Sequence, residues 1–583
     1  MFRRCSANCC GFAPPSPNRH ESICRPLIFN HNPPPSPVAQ SMFSRMFRQF
    51  CWSVSAALCV AALSAGCQPS VTTVSGPGEK SAEEKVQRCH DLMQSVLFSL
   101  ELQKLDVATD VESTTQLINQ WQSECGAASQ FNPVPEALKG KFPAEVEQSL
   151  MATRLSSADA DHLRHCVMMK ALSRHAPGKA SSPLDQVASV FDVVMRLVEL
   201  DRETMDVPLT AYDVCLIGSG SPAHRAWVFA EVLRQLSFDA VILSPGGEPA
   251  KDEKAPFLVG VLLKVNGKEQ VLLFDPLRGI ALRKGAEPAS PVASLADVSA
   301  NAEILTSLPI VAGWGAWTAD SLRQPRVGVI GSEGFWSARF LALQPQFAGE
   351  HTMAVADPLT DTETGPGLWA RVVAGGGKLW KATDVSLWEF PDTQFVQKRT
   401  PTPEQKAKRQ AALLPLSAPV PILRDYNNLA KMDPISNLAV FGTPHREEFR
   451  GRLSQLDGEI PTAVMHYQVV RVESNKLPLQ TPMEDRFKIL HARAGEDARF
   501  FTAQCQFDRG QYRSARDTLE HYIANYPEGH WLNASRRLLA LTLAGNKQTA
   551  EAITLLKALP ADGPHAAWVQ QTLKSLEATK PAG

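Results

Sequence analysis

The chain has 583 residues, with 59 Lys and Arg against 60 Asp and Glu and a formal charge of -1 at pH 7. So even a balance argues against a nucleic-acid-binding face. The length allows about three or four compact units, and the 12 cysteines thin out after Cys67, so they do not make a disulfide framework.

Residues 1–41 are rich in Pro and Cys and lack periodicity. They read as an extension ahead of a start at Met42 or Met46, or as a disordered leader. Cys5, Cys9 and Cys10 have the spacing of a metal site, but nothing around them reads as folded, so no metal is expected. Met42 to Phe50 carries Arg45 and Arg48, and the apolar run Cys51–Ala62 is too short to span a bilayer. It ends in Leu63-Ser64-Ala65-Gly66-Cys67. Residues 42–67 resemble a bacterial lipoprotein signal peptide. The resemblance implies that Cys67 is acylated as the first residue of the mature chain and anchors it to a membrane. Gln68 is compatible with sorting to the periplasmic face of the outer membrane. Ser64 departs from the Leu that such signals prefer at that place, so an ordinary signal peptide cut nearby and an uncleaved anchor are the other readings. No second long apolar run follows, and residues 68–80 (Pro, Gly, Ser, Thr) suit a flexible tether.

Residues 81–183 read as helical. Ser81–Gln103 and Thr109–Glu124 form a predicted pair of helices joined near Asp106. An antiparallel hairpin there brings Cys89 and Cys125 level; a disulfide and two separate buried thiols both fit, because the outcome depends on Cβ geometry. Further helices are predicted around Pro143–Arg154 and Ser157–His175. Asp161, His162, His165 and Cys166 have the three-and-four spacing that gathers ligands on one helix face. No further ligand set accompanies them, so ordinary helix histidines are the preferred reading and no metal or other cofactor is expected.

Leu184–Leu200 is amphipathic, with Val187, Val190, Phe191, Val194, Leu197 and Val198 on one side. The next informative stretch is Cys215–Leu243, CLIGSGSPAHRAWVFAEVLRQLSFDAVIL. Gly218, Ser219 and Gly220 predict a turn, Ser221 an N-cap and Pro222 a first helical residue. Ala226, Phe229, Ala230, Leu233 and Leu236 predict a buried helix face. Val259–Val265 then predicts a strand, Asn266-Gly267 a tight turn and Val271–Phe274 the returning strand. Asp275-Pro276 closes it.

Ala226, Phe229, Val232, Leu233, Arg234, Leu236 and Phe238 match the nucleophile helix of the transglutaminase-like (papain-like) superfamily, which this region (184–295) resembles. The resemblance implies a Cys opening the helix, a His on the next strand and an Asp-Pro after the hairpin. Counting back from Ala226, the Cys position holds Pro222. The His position falls near Val259, and no His occurs between Arg225 and Asn301. Proline lacks both the thiol and the N–H that would serve as an oxyanion donor. Only Asp275 remains, and its plainer reading is a turn-former before Pro276. A relocated triad of Cys215, His224 and Asp275 is the enzymatic alternative, although Cys215 sits in an apolar stretch where a Cys is usually a small buried hydrophobe.

Residues 296–440 mix elements without a dominant period. Val327–Ile330 and Met353–Ala356 are predicted strands around a helix near Trp336–Leu343, Trp369, Trp380 and Trp388 read as buried core aromatics in preference to an exposed binding face, and Pro401–Ala418 reads as a linker or a lone surface helix. Residues 441–583 resemble tetratricopeptide repeats, through Gly510-Gln511-Tyr512, Ala515, Tyr522 and Pro527, then Gly545 and Ala550, with an earlier unit at Gly458, Ala463 and Tyr467. An extra helix near Glu484–Ala494 is predicted to fill the gap between them. The resemblance implies a protein-binding surface and no chemistry. The expectation is therefore an α+β multidomain chain: helical N-terminal region, degenerate transglutaminase-like core, irregular α+β middle and helical repeats. Its expected role is a non-catalytic cell-envelope lipoprotein that binds or scaffolds a protein partner, with a cysteine peptidase or amidase using Cys215 as the alternative.

Overall fold

The computed structural model describes residues 82–105, 111–126, 132–142, 144–201, 207–246, 254–265, 267–285, 290–417, 444–480 and 485–578. The signal-like segment, Cys67, the tether and Asn266 lie outside the described residues. Antiparallel helices α1 (Ala82–Ser99) and α2 (Val111–Cys125) are joined by a disulfide between Cys89 and Cys125. Helices α3 (Ala144–Met151) and α4 (Asp159–His175) follow. Helix α5 (Pro183–Leu197) starts where Ser182 accepts the Asp185 N–H, with Pro183 in the first turn. It buries the stripe Val187, Val190, Phe191, Val194 and Leu197.

Short helix α6 (Ala211–Ile217) ends on Gly218, whose φ of 76° completes a left-handed cap. Helix α7 (Pro222–Gln235) begins at Ser221. Two-residue strands β1 (Glu199–Leu200) and β2 (Ser219–Gly220) pair in parallel beneath the turn between α6 and α7.

The main sheet is mixed, in the order β6-β5-β4-β3-β7-β8. Its strands are β3 (Asp239–Ser244), β4 (Leu258–Val265), β5 (Lys268–Asp275), β6 (Ile280–Ala281), β7 (Arg326–Val329) and β8 (Val385–Leu387). The β4–β5 hairpin sets Val259 opposite Phe274. One face of the sheet meets α5 and α7, where the Phe274 ring lies 5.1 Å from Phe191 and 5.3 Å from Phe229. On the other face Leu262 abuts Gly375 of the helix Leu368–Gly375, where a Cβ would come within 2.2 Å. Both faces are thus covered, which explains why β4 reads as nearly continuous apolar sequence rather than as an alternation.

The chain finishes as a stack of helices. Helix α8 (Phe390–Arg399) leads to α9 (Pro403–Ser417). Then come α10 (Pro444–Leu456), α11 (Ile460–Gln480), α12 (Asp485–Asp508), α13 (Tyr512–Asn525), α14 (Leu532–Gly545), α15 (Thr549–Lys557) and α16 (Ala566–Ala578). From α10 onward each helix packs on the next. Alternate helices carry the hydrogen bonds to the core. Arg452 of α10 donates to the carbonyls of Cys215 and Leu197, both at 2.9 Å. Gln504 of α12 donates to the Arg196 carbonyl, Arg537 of α14 pairs with Glu199, and Gln571 of α16 donates to the Ala281 carbonyl.

Three local expectations need correction. Met353–Ala356 is extended but is not a strand, because glutamine side chains take its backbone groups. Gln235 bonds both Ala354 N–H and Ala354 C=O, and Gln344 accepts from Val355 and Ala356. The helix near Trp336–Leu343 is broken at Ser337 into Glu333–Trp336 and Ala338–Leu343. The segment 401–418 is not a lone helix: Leu416 of α9 is buried and its Arg409 grips Asp213 of α6 at 3.0 Å. The helix expected near Glu484–Ala494 is present as the first part of α12, which runs on to Asp508 for 24 residues. Trp380 is buried and Trp369 and Trp388 pack against the core, as expected of core aromatics.

Truncating Arg452 would leave two buried carbonyls without donors, each worth about 1–3 kcal/mol. Arg452→Met is expected to lower stability by about 3 kcal/mol in urea unfolding, whereas Arg513→Ala, at an exposed position on α13, should stay within about 0.5 kcal/mol. Equal effects of the two substitutions would contradict this account.

Candidate functional site

The start of α7 is where the sequence directs attention. Ser221 caps the helix by accepting the His224 N–H, and His224 Nδ1 lies 3.2 Å from the Ser221 N–H that donates to it. The other ring nitrogen, Nε2, donates to the Leu209 carbonyl at 3.2 Å. Both imidazole nitrogens are therefore committed to backbone. Burial pushes the His224 pKa down to about 4, against the opposing pull of the Leu209 carbonyl. Pro222 is buried beside it.

The three members of the relocated triad are not brought together. Cys215 is fully buried in α6, and burial raises its thiol to about 12, with Arg452 opposing. A thiol so far above neutrality is not a nucleophile. Asp275 is also buried, and it accepts from the Arg278 N–H at 2.9 Å and from Arg278 Nη1 at 2.8 Å. It holds the turn after β5, and Arg225 fastens the same turn by donating to the Pro276 carbonyl at 3.2 Å. Val259 is a buried strand residue.

The set on α4 is likewise dispersed. Asp161 takes Lys398 at 2.6 Å, and His162 Nε2 bonds the Val355 carbonyl at 2.9 Å. His165 stacks on Trp227 at 5.4 Å and reaches Glu231 at 3.7 Å. Cys166 is buried, its Sγ 3.5 Å from His162 Nε2. Burial lowers the His162 pKa to about 4 and raises the Cys166 thiol well above its usual value. Among the described residues no three such side chains are placed to hold a metal ion.

What covers the α6–α7 turn was not legible in the sequence. A cavity of about 250 Å³ beside Ser219 is roofed by Ala411, Ala412, Pro415 and Leu416 of α9, with Phe501 and Glu448 of the helical stack in its walls. Glu448 is buried, and burial together with the neighbouring Asp497 raises its pKa well above the carboxylate range. Asp497 beside it accepts from Arg493 Nε at 3.0 Å and from Trp531 Nε1. The stretch PHREEFRGRL around Glu448 is charged and reads as a surface helix, so composition concealed it. A second network was equally hidden. Glu231 is fully buried and takes Arg234 Nη1 at 2.6 and 2.7 Å, Arg234 reaches Asp357 at 2.8 Å, and Arg371 joins Asp357 to Asp239. It pins the loop around Asp357 to α7 and β3.

Comparison with protein-family models, with curated proteins and with solved structures finds no match to this chain. Among the described residues no helix is long and apolar enough to cross a membrane.

The two buried histidines give a pH signature. Their folded pKa values, about 4, lie below the unfolded value near 6.5. Their stabilising contribution is complete above about pH 6.5 and is lost as pH falls through about 4. The imidazole NMR signals of His162 and His224 are expected to stay at the neutral position at pH 5.5; titration of either near pH 6.5 would contradict their burial as neutral rings.

Proposed function

We propose that this chain is a non-catalytic cell-envelope lipoprotein that binds or scaffolds a protein partner. In this reading residues 184–295, from α5 through β6, are a degenerate transglutaminase-like domain and α10–α16 are degenerate tetratricopeptide-like repeats. The observation that carries the proposal is the commitment of every candidate catalytic group to another task. His224 is a helix cap, Asp275 a turn brace, Cys215 a buried thiol, and Pro222 occupies the nucleophile's place. The turn just before that place, at Ser219, borders a cavity lined by α9 and the array.

The inner helices of the array spend their hydrogen bonds on the core. A macromolecular partner therefore meets the outward helices α11, α13 and α15. Met465, Val469 and Val472 form an exposed apolar row along α11 and belong to that outward surface. Acylation at Cys67 is part of the proposal and would place the assembly at the membrane surface, on the periplasmic side of the outer membrane. The hydrolase alternative draws no support from the position of Cys215.

Iodoacetamide at neutral pH is expected to leave Cys215 unlabelled in the folded protein and to label it after unfolding. Selective native labelling of Cys215, together with an amidase activity lost in Cys215→Ala, would replace this proposal with the enzymatic one. Metabolic fatty-acid labelling that disappears in Cys67→Ala is expected for the anchor; labelling that persists in that variant would refute it. Crosslinking in intact envelopes should capture the partner through α11, α13 or α15.

A further inference from the structure

A second cavity, of about 370 Å³, lies between α5, the β5–β6 turn and the inner helices α12, α14 and α16. This size falls within the range of small-ligand pockets. Its lining carries five guanidinium groups, Arg196, Arg225, Arg278, Arg283 and Arg537, and two carboxylates, Asp192 and Glu199. Asp508 and Asp275 hold Arg196 and Arg278 from behind. Four carboxylates thus face five cations, which leaves one positive charge.

The unbalanced charge is localised. Arg225 and Arg537 share the single carboxylate of Glu199, and the Arg225 Nη2 comes no nearer to it than 3.7 Å. Arg225 is almost wholly buried, and its Nε and Nη1 are fixed on the carbonyls of Val198 and Pro276. Arg283 is held by its Nη1 on the Ser290 carbonyl, while its buried Nε has no partner among the described residues. Guanidinium groups oriented in this way are arranged to receive a planar oxyanion. Aromatic and apolar side chains, Phe507, Trp568 and Leu541, complete the lining, with the Arg196 guanidinium 5.5 Å from the Phe507 ring centroid.

We propose that this cleft binds the C-terminal end of a peptide, its carboxylate against the arginines and its last side chain against Trp568 and Phe507. One surplus positive charge matches one carboxylate better than a phosphate dianion. The proposal deepens the binding role given above and rests on it only in that binding, not turnover, is the outcome. Its failure would leave the Cys215 labelling result untouched.

Isothermal titration of the full chain would use three probes: acetyl-Ala-Phe with a free carboxylate, the same dipeptide as its C-terminal amide, and inorganic phosphate. The free acid is expected to bind at least about tenfold more tightly than the amide, the scale of a charge-assisted contact. Arg283→Gln should weaken the acid about tenfold, and Asp192→Asn, which removes an opposing charge from an exposed position in the cleft, should tighten it. The Asp192 variant keeps the test decisive if the Arg283 variant does not fold. Equal binding of acid and amide, binding of neither, tighter binding of phosphate, or an Asp192→Asn protein that binds the acid no better would each overturn the assignment.

Discussion

A guanidinium with no solvent holds this molecule together. Arg452 is fully buried, and a cation there is tolerated only when its protons are all taken. Nε and Nη2 donate to the carbonyls of Cys215 and Leu197, Nη1 to Gln455, and the group lies 4.4 Å from the Phe501 ring centroid. Leu197 ends α5 and Cys215 belongs to α6, so one side chain ties two core helices to the array. The contact also constrains Gly218. A Cβ there would come within 3.2 Å of Arg452 and 3.1 Å of Phe501, on a backbone already left-handed. The docked array and the glycine turn require one another.

The docking has an energetic corollary for binding. A macromolecule seeking the inner face of the array would have to break bonds from Arg452, Gln504, Arg537 and Gln571, and it would orphan buried carbonyls in doing so. Small ligands escape that penalty because the cleft beside α16 lies open without separation. The array thus has two faces of different kinds: outward helices free of core hydrogen bonds among those described, and an inner side that borders a charged crevice.

Local signals were legible where one residue sets one backbone choice. Ser221-Pro222 opened a helix as its chemistry requires, and Gly267, with a φ of 78°, turned the hairpin between β4 and β5. The spacing of Cys89 and Cys125 about their turn left a disulfide open, and the structure closes it. Illegible features depend on residues far apart in the chain. Gln235 and Gln344 satisfy the backbone at Met353–Ala356 from outside, which no local pattern announces. The pairing of Arg452 with Cys215 spans 237 residues. Charged residues such as Glu231 and Glu448 mislead composition-based reading, because a charge can be interior once its partner is supplied from elsewhere.

The sheet keeps its long strands away from its margins. Its long strands β4 and β5, eight residues each, lie inside, while the outer positions belong to β6 with two residues and β8 with three. At the β6 margin, the Ala281 carbonyl is already taken by Gln571, and Arg283 bridges to Val292 just beyond. Such short margins offer an incoming backbone little ladder to extend. A strand added at either margin of this sheet would gain only a few ladder hydrogen bonds, so the fold itself limits what backbone pairing could contribute.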